Sequence, residues 1–235
     1  MFVLAFDTAT DVVTVALGRD GHPLAALQLV ATREHAERLA PAIRGLSAQT
    51  GVGLDRLAAI AVGVGPGRFT GLRVGVTTAK VMAQALRIPV VGIGTLDLVA
   101  YSLRHTRRDV VAVVDARRGE VFWARYRPVP GGLSRVTDEA CDSPADVVAE
   151  LAAVGGEVLL AGDGAERYRD DFAGLDHAEL AGPAFTAPSA VALLELAAGR
   201  MEREQFVTPA ELSPVYLREA DAAIGWERAA LRGAR

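Results

Sequence analysis

One short plan occurs twice in this chain, about half its length apart. The run "VLAF" leads to Asp7, the turn "TATD" and the run "VVTVAL". Later "VAVV" leads to Asp115, the turn "ARRGE" and the run "VFWARY". Short, continuously apolar runs bounded by turn residues read as buried strands. A connection of a few residues joins them as antiparallel hairpins. A chain with such a hairpin in each half must build a sheet in each half. Either the halves descend from one duplicated unit, or two unrelated hairpins share a common plan; the match is too short to separate these.

Each aspartate ends a buried strand on its C-terminal side, where open α/β sheets bind ligands. Asp7 and Asp115 would there face a cleft and organise a metal–phosphate group. The structural alternative is an Asx-turn closing each hairpin. Arg117 and Arg118, next to Asp115, would bind an anion or pair with acids.

Between and beyond the hairpins the pattern is mixed. Strands are predicted over 2–6, 12–17, 24–30, 57–64, 90–93, 110–114, 121–126, 133–137 and 158–161. Helices are predicted over 36–49, 70–86, 96–103, 144–153 and 188–198. Pro41 must sit in an early helical turn or bend the helix. Ser143 and Pro144 are suited to the N-cap and first position of a helix. Residues 213–218 read as extended, and the last residues as a tail or short helix with Trp226 either docking outward or tucked onto its own lobe.

Half of the 235 residues, 51%, are hydrophobic, and 23% are charged, so a packed core is expected rather than disorder. The formal net charge of −4 shows no basic excess for independent nucleic-acid binding. Lys80 is the single lysine, which reads as composition bias. Cys141 is the single cysteine, so no internal disulfide forms, as expected of a reducing cytosol. The start "MFVLAFDTAT" lacks the basic region of a signal peptide, and no run approaches the ~20 apolar residues of a membrane span.

The stretch "GVGPGRFTGLRVG" at 63–75 brings glycines up to a helix start. Such a loop can present backbone N–H groups to an anion. A P-loop needs Gly-Lys-Ser/Thr there, whereas Gly67 precedes Arg68 and Phe69; the spacing is wrong for a dinucleotide fingerprint too. The glycines otherwise serve a tight turn against a neighbouring strand. On the helix, Gly71, Gly75, Ala79 and Ala83 recur every four residues and make one face smooth. Leu72, Val76, Ala79, Ala83 and Leu86 form a seam beside it, while Arg73, Thr77, Lys80, Gln84 and Arg87 gather on a polar stripe. Either this is a central helix of a thick domain, or one face meets a helix of another chain. No G-x-S-x-G or H-E-x-x-H motif is present. His22, His35, His105 and His177 are not at metal-ligand spacing, and His35 reads as a capping or surface residue.

The segments "LAFDTAT", "EHAERLAP", "GPGRFTGLRVGVTTAK", "DARRGEVFWARY", "GDGAERY" and "PVYLRE" occur in this order across the chain. Together they resemble the TsaB family, also called YeaZ, the non-catalytic bacterial paralogues of the tRNA threonylcarbamoyl transferase TsaD. The resemblance implies an α/β, actin-like and sugar-kinase-like (ASKHA) fold of two lobes, each with a mixed sheet flanked by helices. The lobes are expected at 1–103 and 104–219, with a tail at 220–235. It further implies a cytoplasmic scaffold subunit, not an enzyme and without a cofactor, required for threonylcarbamoyladenosine in tRNA at the adenosine beside the anticodon. Its implied partners are a TsaD-like transferase in a heterodimer and a TsaE-like ATPase in the larger complex. Alone it would form a homodimer, and it would meet tRNA through the complex only.

Transferase members hold a metal through a His-x-x-x-His pair, but the matching region here reads "VVGIGTLDLVAYSL". Thr8 and Ala9 follow Asp7 where nucleotide-binding relatives place a glycine. Asp7, Thr8, Asp115, Arg117 and Arg118 are therefore expected to line a vestigial cleft. The partner interface implied by the resemblance comprises His35, Leu39, Ile43, Leu46, Leu72, Arg73, Gly75, Val76, Ala79, Lys80 and Ala83, and Gly75→Leu is expected to break association while sparing the fold. The competing reading from Asp7, Asp115 and the glycine loop is a stand-alone phosphotransferase of the same superfamily. A metalloprotease lacks its ligand histidines.

Overall fold

The computed structural model describes residues 1–153 and 155–218. The tail and Trp226 lie outside the described residues. In the first half, β1 (Phe2–Asp7), β2 (Val12–Arg19) and β3 (His22–Val30) form a meander, followed by α1 (His35–Thr50), β4 (Leu57–Gly63), α2 (Phe69–Leu86), β5 (Val90–Ile93) and α3 (Thr95–Tyr101). In the second half come β6 (Asp109–Arg117), β7 (Glu120–Val129), β8 (Gly132–Arg135), β9 (Ala140–Asp142), α4 (Pro144–Ala152), β10 (Val158–Ala161), α5 (Asp163–Arg167), α6 (Arg169–Phe172), β11 (Ala178–Leu180) and α7 (Ala190–Glu202).

Two mixed sheets result. The first has strand order β3-β2-β1-β4-β5, and the second β11-β10-β6-β7-β8, with β9 also paired to β7. In each, the hairpin's first strand has its antiparallel partner on one side and a parallel strand on the other: β1 lies between β2 and β4, β6 between β7 and β10. The repeated sequence plan is therefore a repeated topology. Asp7 pairs in register with Thr14, and Asp115 with Val121.

Because both faces of each sheet are covered, the central strands are apolar throughout rather than alternating. Leu4, Phe6, Val15 and Ile60 face α1 and α2 through Leu39, Leu46, Leu72 and Val76. On the opposite face, Val3, Ala5, Ala61 and Val91 meet Leu98 of α3 and Leu193, Leu194 and Ala197 of α7. Helix α3 is shared: Leu96, Val99 and Ala100 pack on Val110, Ala112 and Val114 of the second sheet. The outer face of that sheet is covered by α4 to α6 through Val147, Leu151, Ala165 and Phe172. Burying each of these Leu or Val side chains contributes about 1.5–3 kcal/mol.

Helix α7 lies in the second half of the sequence yet packs on the first sheet. The first lobe is thus discontinuous: the chain builds the second lobe and then returns. This differs from a simple division at residue 103, because the remaining apolar face of the first sheet needed a helix and α7 was the element left to supply it. Strands over 90–93 and 158–161 stand where the sequence puts them. β9, β11, α5 and α6 escape it, since they are short and, unlike β5 and β10, contain charged residues that break an apolar run. Pro41 lies inside α1, at an exposed position.

Candidate functional site

The loop before α2 wraps around the β1–β2 turn. Arg68 N–H donates to Ala9 O at 2.7 Å, and the Thr8 hydroxyl donates to Gly71 O at 2.7 Å. A Cβ at Gly71 would overlap Thr8 O, and one at Gly75 would overlap Thr8 Oγ1. The smooth face of α2 is therefore pressed against the chain's own turn. A Cβ at Gly63 would likewise strike the Asp7 carboxylate. The glycines are sites of close backbone approach.

This bears on the expected interface set. His35, Leu39, Ile43, Leu46, Leu72, Gly75, Val76, Ala79 and Ala83 are all buried within the chain itself. His35 Nε2 lies 2.7 Å from Thr10 O; since a carbonyl only accepts, Nε2 carries the proton and braces the turn. Gly75→Leu must accordingly disturb folding and cannot serve as a selective test of association. Arg73 and Lys80, also in that set, have partners within the chain. Arg73 stacks on Phe69, 3.9 Å from the ring centroid, and donates to the Tyr216 hydroxyl at 3.2 Å. Lys80 donates to backbone carbonyls of residues 210 and 212. Exposed on α1 and α2 are instead Ala36, Ala40, Arg44, Thr77, Val81 and Ala85, together with Glu37, Arg38, Arg73 and Gln84 among others.

Asp7 is 0% exposed. Its carboxylate accepts from Ala9 N–H at 2.8 Å and from the Thr95 hydroxyl at 2.9 Å. Burial outweighs those bonds and pushes its pKa up to about 6. The Ala9 bond is the Asx-turn anticipated from the sequence. Asp115 makes the same turn, accepting from Arg117 N–H at 2.9 Å.

The two lobes face each other across a cleft of about 690 Å³, lined among others by Arg33, Arg68, Asp115, Arg117, Tyr216 and Arg218. Ion pairs span it. Arg68 contacts Asp11 in the first lobe and reaches Asp115 in the second at 3.7 Å. Arg117 lies 3.1 Å from Asp11 and 3.5 Å from Asp115. Arg167 joins from α5, 3.7 Å from Asp115. Arg118 sits exposed in the β6–β7 turn with φ of 60°. Asp163 accepts from Asp115 N–H at 3.0 Å, and burial raises its pKa to about 6.

The structure thus gathers Asp115 and Arg117 with Arg68, Asp11, Arg167 and Asp163, which sequence reasoning missed. Two of these were signalled: Asp11 is the second acid of the first turn, and Asp163 is the acid of "GDG" ending a strand. Asp7 stays inside the first lobe with Thr8. Among the described residues, no three His, Cys, Asp or Glu side chains are grouped so as to hold a metal ion, and no helix is long and apolar enough to cross a membrane.

Two lobes of this topology, with an aspartate in the last three residues of the first strand of each hairpin, define the actin-like, sugar-kinase-like fold class. The (R)-2-hydroxyglutaryl-CoA dehydratase component A of Acidaminococcus fermentans shares the fold at a TM-score of 0.53 and 11% identity, over 86% of this chain and 99% of that one. Within the class, the family is shown by sequence. This chain is 32% identical over 233 residues to the tRNA threonylcarbamoyladenosine biosynthesis protein TsaB of Escherichia coli K12, covering 97% of this chain and 98% of the relative. Its likeness to TsaB of Haemophilus influenzae is 31% over 227 residues, covering 92% and 93%. YeaZ from Pseudomonas aeruginosa superposes with a TM-score of 0.80 at 34% identity, over 92% of this chain and 99% of that one. The family model for TsaD, tRNA N6-adenosine threonylcarbamoyltransferase, matches residues 29–226. The chain belongs to the TsaB (YeaZ) family.

Proposed function

We propose that the chain serves threonylcarbamoyladenosine biosynthesis in tRNA as an accessory subunit, binding and activating a TsaD-like transferase without a transferase centre of its own. The carrying observation is the cleft. The place where two aspartates would organise a metal–phosphate group is bridged by the chain's own Arg68–Asp115 and Arg117–Asp11 pairs, and Asp7 is enclosed by Ala9 and Thr95. Phosphate transfer would have to displace those pairs. In the accessory reading they fix the lobes, and function moves to the surface.

The docking face of this reading is the outer side of α1 and α2. Its small side chains, Ala36, Ala40, Thr77 and Ala85, permit close helix approach, and Val81 is 60% exposed. Without the TsaD-like partner the same face pairs with a second copy. A TsaE-like ATPase joins the larger cytoplasmic complex, and tRNA is met through that complex.

Light scattering on a sizing column tests this, with the chain alone and then mixed with the TsaD-like protein of the same genome. A heterodimer replacing a homodimer is expected; an unchanged elution overturns the reading. Nucleotide turnover by the isolated chain, abolished by Asp7→Ala, would establish the phosphotransferase instead.

A further inference from the structure

Residues 206–218 leave α7 and run back along α2 to the second lobe. Val207 exchanges two backbone hydrogen bonds with Val90 of edge strand β5, at 3.0 and 2.9 Å. Leu212 is buried, 3% exposed, among residues of α2 and the first sheet. Val215 N–H donates to Val64 O at 2.7 Å. The Tyr216 ring lies 5.3 Å from that of Phe69, centroid to centroid, and Arg218 pairs with Glu120 of β7. The segment is a strap joining the lobes, and Val215 to Arg218 form one wall of the cleft.

Between Val207 and Val215, among the described residues, one side chain from outside the strap bonds its backbone. Lys80 Nζ donates to Leu212 O at 2.9 Å and to Ala210 O at 3.4 Å. Lysine and arginine together number 25 in this chain, and Lys80 is the one lysine. The chemistry of the contact favours an ammonium. Three donors on one compact atom can serve two carbonyls that converge on a point, whereas a guanidinium spreads its donors in a rigid planar fork suited to carboxylates. Among the described residues Lys80 has no carboxylate partner, so the ion–carbonyl bonds are what the charge does here. Bonds of this kind are stronger than neutral ones.

We propose that Lys80 is the latch of this strap: its ammonium holds residues 206–218 on α2, and loss of that charge loosens the cleft wall carrying Tyr216 and Arg218. Access to the cleft is then set about three helical turns away from it, along α2. The inference is independent of which partner docks on α1 and α2.

Hydrogen exchange on the full chain tests it, comparing wild type with Lys80→Met. Amides of 210–217 are expected to exchange about tenfold faster in the variant, a ratio corresponding to about 1.4 kcal/mol, while those of β4 keep their rates. Unchanged exchange at 210–217, or an equal rise in β4, overturns the latch. If Lys80→Met does not fold, wild-type chain acylated with N-hydroxysuccinimidyl acetate is compared with its unmodified form, and the Asp20→Asn chain acylated in the same way with its own, because Lys80 is the one side-chain amine and the other amine that reacts, that of Met1, pairs with Asp20. The same two results then decide it.

Discussion

The hairpins β1–β2 and β6–β7 share a plan and differ in what surrounds them. The first turn is packed: Thr8 is bonded to Gly71, Ala9 to Arg68, and Thr10 to His35. Its aspartate is sealed from solvent and held by neutral donors. The second turn is open to the cleft, with Arg117, Arg68 and Arg167 around Asp115. The helices differ in the same sense. The first lobe carries α1 and α2, of 16 and 18 residues, on its outer face. The second carries α4, α5 and α6, of 9, 5 and 4 residues. The lesson is that an aspartate at a strand end has no fixed role. Neutral donors and burial make Asp7 a part of the core, while arginines make Asp115 a bridgehead between lobes.

The strongest way to break this comparison is Gly75→Leu. The new side chain would run into the Thr8 side chain, and overpacking of this kind costs about 3 kcal/mol. Failure to give a cooperative thermal transition is expected; a native-like transition would show that the first turn is not packed as described. Next is Arg68→Ala, which removes the cation shared by Asp11 and Asp115. A loss of about 2 kcal/mol in urea unfolding is expected, smaller than for a fully buried pair because the cleft admits water. The wild-type advantage should shrink in high salt; no salt dependence of the difference would detach Arg68 from the bridge.

The third prediction uses the raised pKa of Asp7. A carboxyl whose folded pKa of about 6 exceeds its ordinary 3.8 takes up a proton on folding between those values. The folded state then holds more protons than the unfolded, so this group's effect on stability becomes less favourable as pH rises from 4 to 6. Asp7→Asn removes that dependence. Relative to wild type, the variant should gain up to roughly 3 kcal/mol between pH 4 and pH 7, read from urea midpoints. Parallel pH profiles would mean Asp7 is not sealed. Smallest in stability is Val81→Glu on the outward face: within about 0.5 kcal/mol in unfolding, yet weakened association on the sizing column. Association unchanged by the glutamate would move the docking face elsewhere.

Much was legible without coordinates. Apolar runs and turn residues marked the strands, and the 3.6-residue period marked α1 and α2, because burial on one or both faces leaves a pattern in neighbouring positions. The two hairpins and their Asx-turns are local and came through for that reason. What Gly71 and Gly75 accommodate was not legible: a smooth helix face fits a turn of its own chain as well as a foreign helix, and the choice depends on Thr8, far away in sequence. The bridge of Arg68, Asp11, Arg117 and Asp115 joins two turns and a loop from different lobes, so no spacing encodes it. The return of α7 to the first sheet is of the same kind. Sequence alone determined the longer elements, the paired hairpins and the family, since these rest on contiguous residues. Tertiary structure alone decided which faces are core, what fills the cleft and what the single lysine holds, since each depends on groups brought together only when both sheets are covered.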